Sequence, residues 1–142
     1  MKNYLQFMAD FPEDASWDNR GNLLVPGGLG VCLFLVSGLR GLAVDCSDPK
    51  QHSFYGWSFT ARAGVGGAWV LLQGGLPWLL ICEPRRRLLS GVFGQTTELG
   101  CEKLLQTVDE IVRSDSRITE KAWYNEAEYR RKPRGPGSAS PL

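Results

Sequence analysis

Histidine is nearly missing from this chain: His52 is the single one in 142 residues. A zinc site takes four nitrogen or sulfur ligands, or three and a water, at short characteristic spacings. Cys32, Cys46, Cys82 and Cys101 form no C-x-x-C pair and stand far apart in sequence, so no metal or cofactor is expected. Excess charge is missing as well. Sixteen Lys and Arg against fifteen Asp and Glu leave a net charge of +1, which excludes a whole-molecule pull toward nucleic acid or anionic lipid. The third absence is a long hydrophobic run. The longest, VCLFLV at 31–36, falls far short of the roughly 20 residues that cross a bilayer. The opening MKNYLQFMADFPED has no uninterrupted apolar stretch after Lys2 and soon meets Asp10, unlike a secretory signal. The expectation is a cytoplasmic protein that neither crosses a membrane nor binds nucleic acid.

In a secreted chain four cysteines would permit three disulfide connectivities. Here reduced, buried thiols are expected. A chain of 142 residues can bury its apolar surface without covalent staples, and a free Cys packs as a small hydrophobe.

Aromatic surface, by contrast, is plentiful: five Trp, six Phe and four Tyr. Much of it lies in FYGWSFTARAGVGGAW, residues 54–69. Tyr55, Trp57, Phe59 and Ala61 alternate with Gly56, Ser58, Thr60 and Arg62, which predicts an antiparallel strand with one apolar side. Gly64, Gly66 and Gly67 suit a hairpin connection to a partner strand at 68–73. A second bend at 74–77 leads to a third strand at 78–82, giving a meander. Residues 3–11 predict a further strand, 42–44 a short one and 118–124 the last, with a turn at 19–22.

Two helices are expected. Leu29, Cys32, Leu33, Val36 and Leu39 recur at helical spacing after Pro26 and two glycines, although VCLFLV also fits an interior strand. Cys101, Leu104, Leu105, Val108, Ile111 and Val112 form the clearer stripe, with Thr96 or Thr97 as N-cap candidates. The pattern lacks regular βαβ alternation and predicts an α+β fold: an antiparallel sheet of about five strands with two helices packed on one face. Residues 1–129 form the single domain. The tail 130–142, KPRGPGSASPL after two arginines, has no apolar periodicity and is expected to be disordered.

Three constellations bear on function. Cys46, Asp48 and His52 share one loop, and with Arg62 they offer the parts of a nucleophilic or ligand-binding pocket, provided that thiol and imidazole meet in space; a polar connecting loop accounts for the same residues. The glycines at 64–67 are followed by a strand and not by a phosphate-holding helix, so hairpin geometry explains them, while the arginines at 85–87 read as a solvated strand end or an anion grip. Aromatics beside acids make the third set. Trp17 stands with Asp14 and Asp18, Trp123 lies near Glu120 and Glu126, and Trp69 and Trp78 occupy strands apolar on both sides. Acids steer a basic partner and aromatics supply contact area.

Two functions from different classes follow. One is a small bacterial cytoplasmic protein that binds another protein, a toxin or secreted effector, and blocks it sterically in the manner of an immunity protein or a dedicated secretion chaperone. Its contact residues would be Asp14, Trp17, Asp18, Trp69, Trp78 and Trp123, with no catalytic residue. The other is an enzyme or small-molecule binder using a Cys46/His52/Arg62 pocket. A homodimer that hides the second sheet face is a third arrangement.

Overall fold

Period-two alternation in the middle of the chain builds a sheet, and the two helical stripes cover one side of it. The computed structural model describes residues 1–64, 66–85 and 94–142, with the backbone alone for 94–100. In chain order the elements are β1 (Tyr4–Ala9), β2 (Ser16–Trp17), β3 (Leu23–Val25), α1 (Leu29–Gly41), β4 (Asp45–Cys46), β5 (Lys50–His52), β6 (Gly56–Ala63), β7 (Gly66–Gln73), β8 (Trp78–Pro84), α2 (Gly94–Ser114), β9 (Ile118–Tyr124) and α3 (Glu126–Arg130). Seven strands make one antiparallel sheet in the order β4-β6-β7-β8-β1-β9, with β5 also on β6, while β2 and β3 form a separate ribbon. The fold is α+β. Its sheet has two more strands than the expected five because β4 and β5 are only two and three residues long, too short to leave a periodicity.

Leu5, Phe7, Phe59, Val70, Leu72, Leu80 and Cys82 point to one face and join one core with the stripes of α1 and α2. The α2 stripe is as expected, all six residues being buried. Helix α2 begins at Gly94, so Thr96 and Thr97 lie inside it. The α1 stripe is rotated from the expected one: Val31 and Leu35 face inward with Cys32, Val36 and Leu39, whereas Leu33 is exposed.

The expected strand at 42–44 is instead the end of α1. Val44 N–H bonds to Leu39 O and Ala43 N–H to Arg40 O, a paired closure in which the residue at C′ takes a left-handed conformation. Ala43 does so at φ 63, in a place where glycine is usual, and pairing begins only at Asp45.

The second sheet face holds a smaller core. Tyr4, Leu79 and Tyr124 are buried there with Tyr129 of α3 against them, and the Tyr4 and Tyr129 rings stack with centroids 5.2 Å apart. The tail 131–142 follows a defined path, contrary to the expected disorder. Ser138 exchanges backbone hydrogen bonds with Trp123, Lys2 N–H bonds to Pro141 O, Arg113 donates to Ala139 O, and the Arg134 guanidinium lies 3.7 Å from the Tyr129 ring centre. Backbone pairing and cation–π contacts have no hydrophobic period, so composition could not reveal them.

Candidate functional site

Three connections converge at one end of the sheet. Gly74 N–H donates to Tyr55 O, tying the β7–β8 turn to the β5–β6 turn. Trp57 Nε1 donates to Pro26 O at 3.0 Å, tying the same end to the entrance of α1. A methyl group on Gly74 would lie 3.8 Å from Gly27 O, and one on Gly27 would lie 3.1 Å from Glu13 Oε1. The 10–15 loop, the α1 entrance and the two sheet turns therefore share one surface. It carries Phe54 at 71% exposure, Tyr55 at 51% and Leu76 at 84%, with Trp17 at 60% and Leu24 at 55% on the adjoining ribbon.

The acids of this end are partly occupied within the chain. Asp14 accepts from Gly28 N–H and Gly30 N–H, both at 2.7 Å. Gly28, the N-cap of α1, has no side chain to offer, so a carboxylate from fourteen residues upstream takes over the cap. Asp14 is thus a brace for the loop, not an unattached contact residue. Asp18 organises the β2–β3 turn, accepting from Asn22 Nδ2 and from the N–H groups of Arg20 and Asn22. These bonds, that from the Asn22 side chain foremost, hold its carboxyl below the usual range, so it stays charged beside Trp17.

The four candidate tryptophans part company. Trp17 is exposed on the ribbon. Trp78 lies on the helix-covered face and packs against Gly28, where a Cβ would fall 2.6 Å from its ring. Trp69 lies on the opposite face, half-buried, its ring centre 5.2 Å from that of His52. Trp123 is fully buried and donates from Nε1 to Asp109 Oδ1 of α2 at 2.8 Å, which removes it from any contact surface. A register shift in the β1–β9 pairing, with Glu120 at φ 52, explains the difference. In a regular strand Ile118 and Trp123, five apart, would face opposite ways; the irregularity turns both into one core.

The Cys46/His52/Arg62 set does not assemble. Cys46 pairs with Ala61 and joins the helix-side core, whereas His52 meets Trp69 edge-on on the other side of the sheet. Asp48 is bound to Arg40 and Arg62 is exposed. Burial pushes the Cys32 thiol up to about 12, with Cys46 nearby adding to it, and the Cys101 thiol up to about 11. Cys46 and Cys82 are raised by burial too. Protonated thiols are poor nucleophiles, and all four are free. Among the described residues no group of three or more His, Cys, Asp or Glu could hold a metal ion. No helix there is long and apolar enough to cross a membrane. Gly66 pairs with Ala63 at the start of the β6–β7 hairpin, as expected for the glycine-rich bend; Arg86 and Arg87 lie outside the described residues.

The sequence assigns no contact role to Leu24, Leu76 or Phe54, the last being counted only within the aromatic stretch 54–69. The available signal was an apolar residue inside turn chemistry, as in Gly74-Gly75-Leu76-Pro77, where no core demands it. Tyr55 was placed on the inward face of β6, yet the strand begins at Gly56. Comparison with known protein families, with curated proteins and with solved structures gave no match.

Proposed function

We propose that this chain is a protein-binding protein that acts by steric occlusion, docking through the loop end that carries Trp17, Leu24, Phe54, Tyr55 and Leu76. The observation that carries the reading is the exposure of Phe54, Tyr55 and Leu76 on two sheet turns that meet, and of Trp17 and Leu24 on the ribbon that follows the 10–15 loop, each more than half open to water. Exposed aromatic anchors on loops braced by a rigid sheet are what a high-affinity interface uses. The separation of Cys46 from His52 by the sheet argues against the pocket alternative. An inhibitor of this type would work in the cytoplasm of a bacterial cell, as an immunity protein does against a toxin or a dedicated chaperone does with a secreted effector.

The test is affinity capture from the native cell with the wild-type chain and with a Trp17→Ala/Phe54→Ala/Leu76→Ala variant. One stoichiometric protein should be recovered with the first and lost with the second, at unchanged thermal stability. Truncating one buried anchor costs about 2 kcal/mol of binding, near a 30-fold weakening each. Equal recovery by both chains, or no recovered protein, refutes the reading.

A further inference from the structure

The segment that leads into the loop end, residues 10–22, is one-sided in charge in a molecule that is nearly neutral. Between residues 10 and 22 stand four carboxylates, Asp10, Glu13, Asp14 and Asp18, against one cation, Arg20. Among the described residues, Arg117 at this end is tied to Asp115 by a bond of 2.8 Å, and the Lys121 ammonium donates to Ile118 O. Opposing charge is gathered elsewhere: Arg130 ends α3, paired with Glu126, and Arg131, Lys132 and Arg134 follow it. Arg134 there donates to Gln6, which alternates with the helix-facing Leu5 and Phe7 and so lies on the opposite sheet face. Glu13 sits beside Gly27 and Asp18 is the neighbour of Trp17, so the carboxylates border the apolar side chains instead of lying on a separate face.

We infer that the loop end is received by a protein whose docking face is an apolar depression rimmed by lysine and arginine. This rests on the function proposed above and adds the chemistry of the partner. Other occupants fit the charges less well. Carboxylates beside Trp17 would repel a nucleic acid backbone and the headgroups of an anionic membrane, and two copies meeting loop end to loop end would bring like charges together. Against a cationic rim the same groups speed the encounter and reject neutral apolar surfaces, while Trp17, Phe54 and Leu76 supply the contact.

The experiment uses the captured partner and the full-length chain. Association rates are measured by stopped flow at about 20 mM and about 500 mM NaCl, where steering predicts a fall of roughly tenfold or more. The variant Asp10→Asn/Glu13→Gln keeps the side-chain shapes and the Glu13 acceptor for Ala15 N–H; it should associate several-fold more slowly at low salt and show a shallower salt dependence. Asp14 and Asp18 are left intact because they hold the loop. A rate that changes less than about twofold with salt, or a variant indistinguishable from wild type, overturns the inference while leaving protein binding in place. Loss of all capture overturns both. Self-association of the purified chain through this end, seen by light scattering and abolished by Trp17→Ala, also overturns it.

Discussion

Replacing Asp14 by alanine tests whether a carboxylate fourteen residues away is the true cap of α1. Its two oxygens accept from Gly28 and Gly30 N–H, each at 2.7 Å, and with Gly28 at the N-cap no other side chain caps the helix. Losing a cap of this kind costs about 1 kcal/mol. Losing a negative charge at the positive end of the helix adds about 0.3–1 kcal/mol. The alanine variant should therefore be less stable by about 2 kcal/mol at neutral pH, since it also releases the 10–15 loop. Unfolding 142 residues carries about 0.3 kcal/mol/K of entropy, so Tm should drop by about 7 °C. Asp14→Asn, which keeps an acceptor oxygen but not the charge, should lie about midway. Scanning calorimetry or far-UV circular dichroism reads both. A Tm for Asp14→Ala within about 1 °C of wild type would show that the brace contributes nothing, and Asp14 would return to the pool of free surface acids.

Two further outcomes follow from the buried thiols and the acid-facing ion pair. In the native state an aromatic disulfide reagent should label the cysteines slowly, Cys46 on the short strand β4 leading because it retains a little exposure, and all four should react at once in denaturant; rapid native labelling of Cys32 or Cys82 contradicts the burial that raises their thiols. Hydrogen bonds from the Arg117 side chain and backbone lower the Asp115 carboxyl to about 2. Its folded value lies below the unfolded one near 3.9, so its contribution is complete above about pH 4 and is lost as pH falls through about 2. Carboxyl carbon NMR should place the Asp115 midpoint near 2, and Arg117→Ala should return it toward 4; a wild-type midpoint near 4 contradicts the pairing.

The meander, both helices and the strands at either end of the chain were legible because hydrophobic period reports which side of an element is covered. The stripe of α2 needed no correction. Function was harder to read, since a tryptophan looks the same in sequence whether it anchors a core or waits for a partner. Asp14 and Asp18 looked like free acids because the groups they bond are backbone N–H groups, whose positions depend on the turn and helix they help to form. Leu76 went unnoticed because an isolated apolar residue in a loop has no period, and Phe54 was counted in the aromatic stretch 54–69 without a role of its own.

What the amino-acid order alone determined is therefore the local part: which segments alternate, which coil, where glycine and proline bend the chain, and that the thiols need no bridges. Tertiary structure alone decided the rest. It inserted β1 between β8 and β9, turned Trp123 inward through an irregular register, set Cys46 and His52 on opposite sides of the sheet, and drew three connections into one apolar, acid-bordered end. The physical reason is range. Periodicity and turn chemistry act over a few residues, whereas exposure, pairing register and convergence depend on contacts between segments tens of residues apart, which exist only once the chain has folded.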